Sequence, residues 1–421
     1  MARQNEVMAA DIEADHVAVW PHRTLDLAGA RRAGWRPTAI REFVLKVHQR
    51  CNLACDYCYV YEMADQSWRD RPAIMPPEIW QAAGRRIAEH AERFGLDGVT
   101  VILHGGEPLL VGADRLLRMI GALRAAMPHG CELAVGMQTN GVRLDDGMLT
   151  RLAGAGVRIG VSVDGDAAAH DRHRRFRDGR GSHDAVRSAL ALLGEDRFRA
   201  NFAGLLCTVD PRRDALTTYR ELLRHRPPEI DFLLPHANWG TPPERPDGPG
   251  TAPYGEWLAA VFDRWYGAPR RETGIRLFDD IIALALGGSG RSEQVGLSPV
   301  TVAVVESDGA IEQVDSLKSA YPGAAATGLD VRTDSFEAVL RHPGVIARQI
   351  GAHALADSCR ACPIHRICGA GHYAHRYTPG TGFRHPTVYC PDMTVLIGHI
   401  TERLAVDVTR LRSIVAPGRT T

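Results

Sequence analysis

The sequence predicts an α/β fold: an open, partial (β/α)6 barrel of the TIM-like kind, followed by a smaller cysteine-rich domain. Three observations lead there. Strand-like and helix-like runs alternate from residue 41 to about residue 236, which argues for a parallel sheet with crossover helices. Six such units are present, short of the eight that close a barrel. The motifs CNLACDYC, GGEP, QTNG and SVDG each follow a strand-like run. In parallel α/β sheets the functional groups gather at the carboxyl ends of strands.

Residues 1–40 read as an irregular lead-in with a short helical patch. EFVLKVH (42–48) is the first strand. A helix from Pro77 to Phe94 places Ile79, Ala82, Ile87 and Ala91 on one side. VTVILH (99–104) is the second strand and runs into GGEP. LAVGMQT (133–139), VRIGVSVD (157–164), FAGLLCTV (202–209) and IDFLLPH (230–236) follow, with amphipathic runs such as DRLLRMIGALRAAM (114–127) between them. The barrel is thus expected over 41–240. The Pro/Gly-rich loop HANWGTPPERPDGPGTAPYG (236–255) closes it, helical patterns bridge 241–300, and the last domain spans 301–421. In that domain TVAVVESDGAIEQVD (301–315) reads as a hairpin turning at Ser307-Asp308-Gly309. Cysteines cluster over 359–390, and a terminal helix starts at about Met393.

The bulk numbers narrow the function. The 421 residues carry 50 Lys plus Arg against 50 Asp plus Glu, so nothing favours nucleic acid or an anionic membrane as partner. The start MARQNEVMAADIEADH lacks the basic, apolar pattern of a signal peptide, and no apolar run reaches the length of a membrane span. A cytoplasmic location with reduced thiols is expected. Nine cysteines clustered in such a chain point to metal binding or catalysis. Cys131 and Cys207 stand apart within strand patterns and read as buried, inert thiols.

Cys51, Cys55 and Cys58 form a C-x3-C-x2-C loop. Thiolates suit iron–sulfur clusters or zinc. Three of them hold three irons of a cubane and leave the fourth open to a substrate; zinc would need a fourth ligand such as His48. Cys359, Cys362, Cys368 and Cys390 form the second group, and four thiolates can close either a four-iron cluster or a zinc site.

CNLACDYC resembles the signature loop of radical S-adenosylmethionine (SAM) enzymes. In that family SAM coordinates the open iron of a [4Fe-4S] cluster and is cleaved to a 5′-deoxyadenosyl radical. The resemblance implies that Tyr57 lies near the adenine and that Gly105, Gly106, Glu107 and Pro108 meet the SAM amino group. It also implies that Ser162 and Asp164 bond the ribose, with Gln138, Thr139 and Asn140 supporting SAM or substrate. The second cysteine group resembles the distal auxiliary-cluster motif of the SPASM extension found in peptide and protein maturases. A full extension has seven cysteines. Here Asp315 and His372 stand where two of them are often found, which implies one auxiliary [4Fe-4S] cluster.

HQRCNLACDYCYVYEMADQSW, LHGGEPLL, ESDGAIEQVDSLKSAY and CGAGHYAHRY…GFRHPTVYCPDM together resemble the FxsB-type branch of SPASM maturases, across about residues 41–400. That branch implies modification of a ribosomally synthesised precursor peptide by a cyclophane crosslink, joining an aromatic ring carbon to the β-carbon of a nearby residue, with an external electron donor. Other radical SAM outcomes, thioether formation or oxidation to formylglycine, remain alternatives, as does a non-catalytic scaffold. Candidates for the base are His236, Asp315, His372 and His375. GHYAHRY (371–377) reads as a belt around the auxiliary cluster or as channel lining. HDRHRRFRDGR (170–180) reads as a solvated loop or as a contact for an acidic leader or a peptide carboxylate.

Overall fold

A computed structural model of the chain describes residues 25–32 and 34–415. Residues 1–24 of the expected lead-in lie outside that range; within the described part, Leu27–Arg32 is a short helix. The strands are β1 (Glu42–His48), β2 (Gly98–Gly105), β3 (Glu132–Thr139), β4 (Arg158–Ser162), β5 (Phe202–Thr208), β6 (Glu229–Leu233), β7 (Gly274–Ile275), β8 (Val302–Val305), β9 (Ala310–Glu312) and β10 (Ala326–Asp330). They form one sheet in the order β10-β9-β8-β1-β2-β3-β4-β5-β6-β7. β1 to β7 run parallel, each beside the next. The sheet edges are β7 and β10, so it stays open as the six-unit pattern predicts.

The sheet also runs past residue 300. β8 pairs parallel with β1, with Val44 opposite Val304 and Leu45 opposite Val305. The hairpin β8–β9 then extends the sheet antiparallel, turning through Glu306 to Gly309. Because β8 points the same way as β1, its carboxyl end meets the cysteine loop at the same rim.

Strand alternation sorts the two faces. Phe43, Leu45 and Val47 of β1, with Val99, Val101 and Leu103 of β2, are buried in one core. Ile79, Trp80, Ala83 and Ile87 of the helix Pro77–Phe94 belong to the same core. That helix matches its sequence expectation residue for residue, since Pro77 opens it and Gly95, left-handed at φ 59°, ends it. The other face carries Lys46, His104, Gln138, Ser162 and Leu206, with Lys46 opposite His104 and Ser162 opposite Leu206.

Three differences matter. Cys131 precedes β3 and is half-exposed, whereas Cys207 is buried within β5. β4 ends at Ser162, and the side chain that caps the next helix is Asp166, which accepts from Ala169 N at 2.8 Å. The terminal helix is Cys390–Val415, so the fourth cysteine of the second group opens it. Asp392 ties this helix to the helix Pro253–Tyr266 by accepting from Tyr254 N at 3.0 Å and Gly255 N at 3.1 Å, and pairs with Arg245 at 2.6 Å. Among the described residues no helix is long and apolar enough to cross a membrane.

Candidate active site

The three thiols of the first loop converge at the carboxyl rim of the sheet. The loop is wound by Cys58 N donating to Cys55 O (3.1 Å) and Glu62 N to Cys58 O (2.9 Å). Cys51 Sγ receives Leu53 N at 3.4 Å and Asn140 Nδ2 at 3.7 Å. All three cysteines line one cavity of about 240 Å³, with Tyr57, Gly105, Gly106, Gln138, Asn140 and Ser162 on its other walls. Burial pushes the Cys51 thiol up to about 12 and the Cys55 thiol up to about 11. Without a cation these groups stay protonated, so metal uptake and proton release are linked.

The donor set fits an open iron–sulfur cluster better than zinc. Tetrahedral zinc at about 2.3 Å from each sulfur draws thiolates to about 3.8 Å from one another. Among the described residues, the triads whose ligand atoms lie within 4.8 Å of one another are His236/His372/His375 and Glu306/Glu312/Asp315, not the cysteines. His48 does not line the cavity, and its Nδ1 receives Arg50 N at 3.1 Å. His104 and His236 also line the cavity, but among the described residues neither forms a metal-sized group with the three thiols.

The GGEP turn works mainly through backbone. Gly105 adopts φ +155°, and a Cβ there would run into His48 O; a Cβ on Gly106 would meet Tyr61 Oη and come within 2.5 Å of Arg50 O. Glycine at both positions lets the end of β2 press against the start of the cysteine loop. Glu107 and Pro108 are buried beneath it and do not line the cavity. Both oxygens of Glu107 are taken: Oε1 accepts from Thr139 Oγ1 (2.6 Å) and Leu109 N (3.0 Å), and Oε2 from Asn140 N (2.8 Å). The geometry thus gives this carboxylate a bracing role between the ends of β2 and β3.

Asp164 is likewise engaged. It accepts from Tyr57 Oη, from Arg174 Nε at 3.1 Å and from Thr208 N at 3.0 Å, and it lines an adjoining cleft of about 820 Å³ and not the 240 Å³ cavity. Arg174 stacks over Tyr57, 5.7 Å from the ring centre, and reaches 4.0 Å from Cys55 Sγ. The basic stretch 170–180 is therefore no solvated loop over its length. Ala54 N donates to Arg175 O (2.8 Å), Leu53 pairs with Phe176, and Arg177 Nη2 donates to Cys51 O (3.3 Å). Arg174 is the site residue that sequence reasoning missed. Charge composition reports a local run, not the segment it folds against.

Of the base candidates, Asp315 lies in a buried charge network. It pairs with Lys46 Nζ at 2.6 Å and lies 3.6 Å from Lys318 Nζ, which also holds Glu306 and Glu312; Arg71 pairs with both glutamates. The two lysines hold the Asp315 carboxyl well below the usual range, so it stays ionised and occupied. His236, His372 and His375 meet instead in one cluster, and the ring of Tyr59 lies 4.8 Å from that of His236. Desolvation pushes His236 and His372 down to about 3, leaving neutral imidazoles.

The second cysteine group converges at the other end of the cysteine-rich region. Cys359, Cys362 and Cys390 lie in one another's electrostatic field, and Cys368 lies in that of Cys390. Cys390 opens the 26-residue helix, where the helix dipole favours a thiolate. Gly369, left-handed at φ +59°, packs so closely on Gly296 O that a Cβ would collide with it. Arg376 is buried, donates to Gly369 O (2.6 Å) and Gly371 O (2.7 Å), and acts on Cys368 and Cys359. In the run 371–377, Arg376 thus borders the cysteines, while His372 and His375 turn toward the sheet.

A broader cleft of about 820 Å³ adjoins the cysteine cavity, sharing Tyr57, Thr208, Pro235 and His236 with it. The Pro-rich loop, with Pro242, Pro243 and Pro246, forms its outer wall.

Comparison with known proteins agrees with this arrangement. The model of the radical SAM superfamily matches residues 45–213. The cysteine-type anaerobic sulfatase-maturating enzyme of Clostridium novyi (strain NT) is 23% identical over 268 residues, 63% of this chain and 70% of that protein. The serine-type enzyme of Klebsiella aerogenes is 26% identical over 186 residues, 44% of each. A solved structure of native anSMEcpe with bound AdoMet superposes with a TM-score of 0.76 at 19% identity, covering 87% of this chain and 99% of that one. Streptococcus suis SuiB bound to precursor peptide SuiA gives a TM-score of 0.54 at 12% identity, covering 85% and 77%. The chain is a radical SAM enzyme, with the superfamily domain over residues 45–213 and with SAM and iron–sulfur clusters as its cofactors.

Proposed function

We propose that this enzyme is a maturase that forms a cyclophane in a ribosomally synthesised precursor peptide. The observation that carries the maturase reading is the adjacency of two spaces: a cavity walled by three thiols shares Tyr57, Thr208, Pro235 and His236 with a cleft of about 820 Å³, a volume that suits a peptide segment. Cys51, Cys55 and Cys58 would hold the SAM-binding cluster, and Cys359, Cys362, Cys368 and Cys390 the auxiliary one. When bound, the cluster and SAM supply a 5′-deoxyadenosyl radical that removes a hydrogen atom.

The chain's own residues then have distinct tasks. Gly105 and Gly106 hold the end of β2 close against the cysteine loop beside the cavity, and Gln138, Asn140 and Ser162 would offer polar groups to SAM there. Arg174, clamped by Asp164, fixes Tyr57 over the cavity. Leu206, Leu233 and Leu234 keep the reacting space apolar, which protects a carbon radical from water. In the peptide, the β-carbon loses its hydrogen and adds to a nearby ring. Rearomatisation then releases one proton, which would pass to water in the adjoining cleft, and one electron, which the auxiliary cluster held by Cys359, Cys362, Cys368 and Cys390 would accept. An external donor supplies the electron that starts each turnover.

The cyclophane outcome rests on the resemblance of the four sequence runs to FxsB-type maturases. A second reading, oxidation of a serine or cysteine to formylglycine, is favoured by the anaerobic sulfatase-maturating relatives. Tandem mass spectrometry of a candidate precursor after anaerobic turnover separates them. A ring-to-β-carbon crosslink, resistant to aldehyde reagents, supports the cyclophane. A hydrazine-reactive aldehyde in a sulfatase-derived peptide would replace it with the second reading.

A further inference from the structure

The histidine cluster invites a question that the radical chemistry does not answer. His236 follows β6, whereas His372 and His375 come from the turn behind Cys368. One ring nitrogen from each lies within 4.8 Å of the other two, and the ring centres are 4.9 to 5.7 Å apart. His375 is 3% exposed. Its Nε2 and the Nδ1 of His236 are buried without a hydrogen-bond partner. His372 Nδ1 receives only a long contact, 3.3 Å, from Ala374 N. Buried polar atoms are rarely left so, and two of them within one histidine cluster point to a missing partner.

We propose that His236, His372 and His375 bind a single divalent ion of borderline softness, Zn²⁺ or Fe²⁺. Imidazoles without thiolate or carboxylate suit such ions and not Mg²⁺ or Ca²⁺. Three histidines leave one coordination position free, as in catalytic zinc sites. That position faces a cavity of about 320 Å³ which all three histidines line, so a water molecule or a carbonyl oxygen of the peptide can occupy it. Tetrahedral zinc at about 2.0–2.1 Å from each nitrogen needs them about 3.4 Å apart, and side-chain rotation closes the difference. The ionised Asp315 nearby supplies negative field, and Arg348, whose positive charge also lies near His372, is paired with Glu293. The acidic triad Glu306/Glu312/Asp315 is no competing site, because Lys46, Lys318 and Arg71 already fill it.

The test uses the full chain with its iron–sulfur clusters reconstituted, stripped of loose metal by a chelator, then equilibrated with Co²⁺ or Zn²⁺. About one ion per chain beyond the cluster iron is expected. His375→Ala and His236→Ala should each weaken binding by more than the about 100-fold upper range for lost second-shell partners. His399→Ala should not change it, nor should any variant change the iron content. X-ray absorption at the zinc edge of the parent protein serves if the variants do not fold: nitrogen and oxygen neighbours alone are expected. The proposal is overturned if no ion is retained, if the variants bind as the parent does, or if sulfur neighbours appear. Additional iron with matching sulfide would also overturn it, marking a second auxiliary cluster.

Discussion

Asp164→Ala tests whether the clamp around Tyr57 organises the site. In the folded protein Asp164 receives three donors, from Tyr57, Arg174 and Thr208. The side chain of Arg174 is only 12% exposed, so removing Asp164 strands a guanidinium in a nearly dry place. Breaking a buried pair from one side costs about 3–5 kcal/mol. At about 1.4 kcal/mol per decade, local opening of 170–180 against the cysteine loop should rise by about two to three and a half orders of magnitude. Hydrogen exchange followed by mass spectrometry, on the anaerobic holoenzyme, reads this directly in the peptides covering 51–60 and 170–180. Arg174→Ala leaves Asp164 with two donors and should open the loop less. The double variant should lose less than the two single effects combined, because the stranded charge has gone. Strictly additive effects, or protection in Asp164→Ala within tenfold of the parent, would refute the clamp.

Other consequences are as direct. Gly106→Ala places a Cβ within 2.5 Å of Arg50 O; SAM affinity, measured by equilibrium dialysis, should fall by more than tenfold while auxiliary-cluster iron is retained. Glu107→Gln trades a charged acceptor of three hydrogen bonds for an amide that must turn one donor toward another. A loss of about 1.5–3 kcal/mol should appear as a lower melting temperature, with any SAM effect following from loop position. His170 is buried and pushed down to about 3 by desolvation. Its folded value lies below the unfolded one of about 6.5, so its neutral form is favoured, and stability is full above that value and falls as pH drops. At pH 5.5 the loss from this group is about 1.4 kcal/mol, and His170→Gln should melt with less acid sensitivity than the parent between pH 7.5 and 5.5. Cys359→Ala should lose the auxiliary cluster's iron, whereas Cys131→Ser, away from both groups, should keep all of it.

Much of the fold was legible because its signals are local. β1 coincides with the sequence reading because its core residues Phe43, Leu45 and Val47 alternate along the chain, and the helix Pro77–Phe94 because apolar periodicity runs between Pro77 and Gly95. What escaped was non-local. The pairing of β8 with β1 joins residues 260 positions apart, and no local pattern announces it. Arg174 was hidden in a run of charge, and its partners lie on the cysteine loop and beside β4. Glu107 and Asp164 were read from residue type as contacts for SAM, and the donors that hold them in the fold, Thr139, Asn140, Arg174 and Thr208 among them, left no local mark. The three histidines were noted singly, but only folding brings His236 to His372 and His375. Asp315 drew attention for standing where a cysteine often does; its two lysine partners were not visible from there.

The central claim is that three thiols, with the fourth iron left open, cleave SAM. The most direct measurement is 5′-deoxyadenosine formation by the reconstituted protein under anaerobic reduction, with and without precursor peptide, beside Cys55→Ala. The account predicts deoxyadenosine from the parent, increased by peptide, and none from the variant. Equal amounts from both proteins, or none from a fully loaded parent given its peptide, would contradict it.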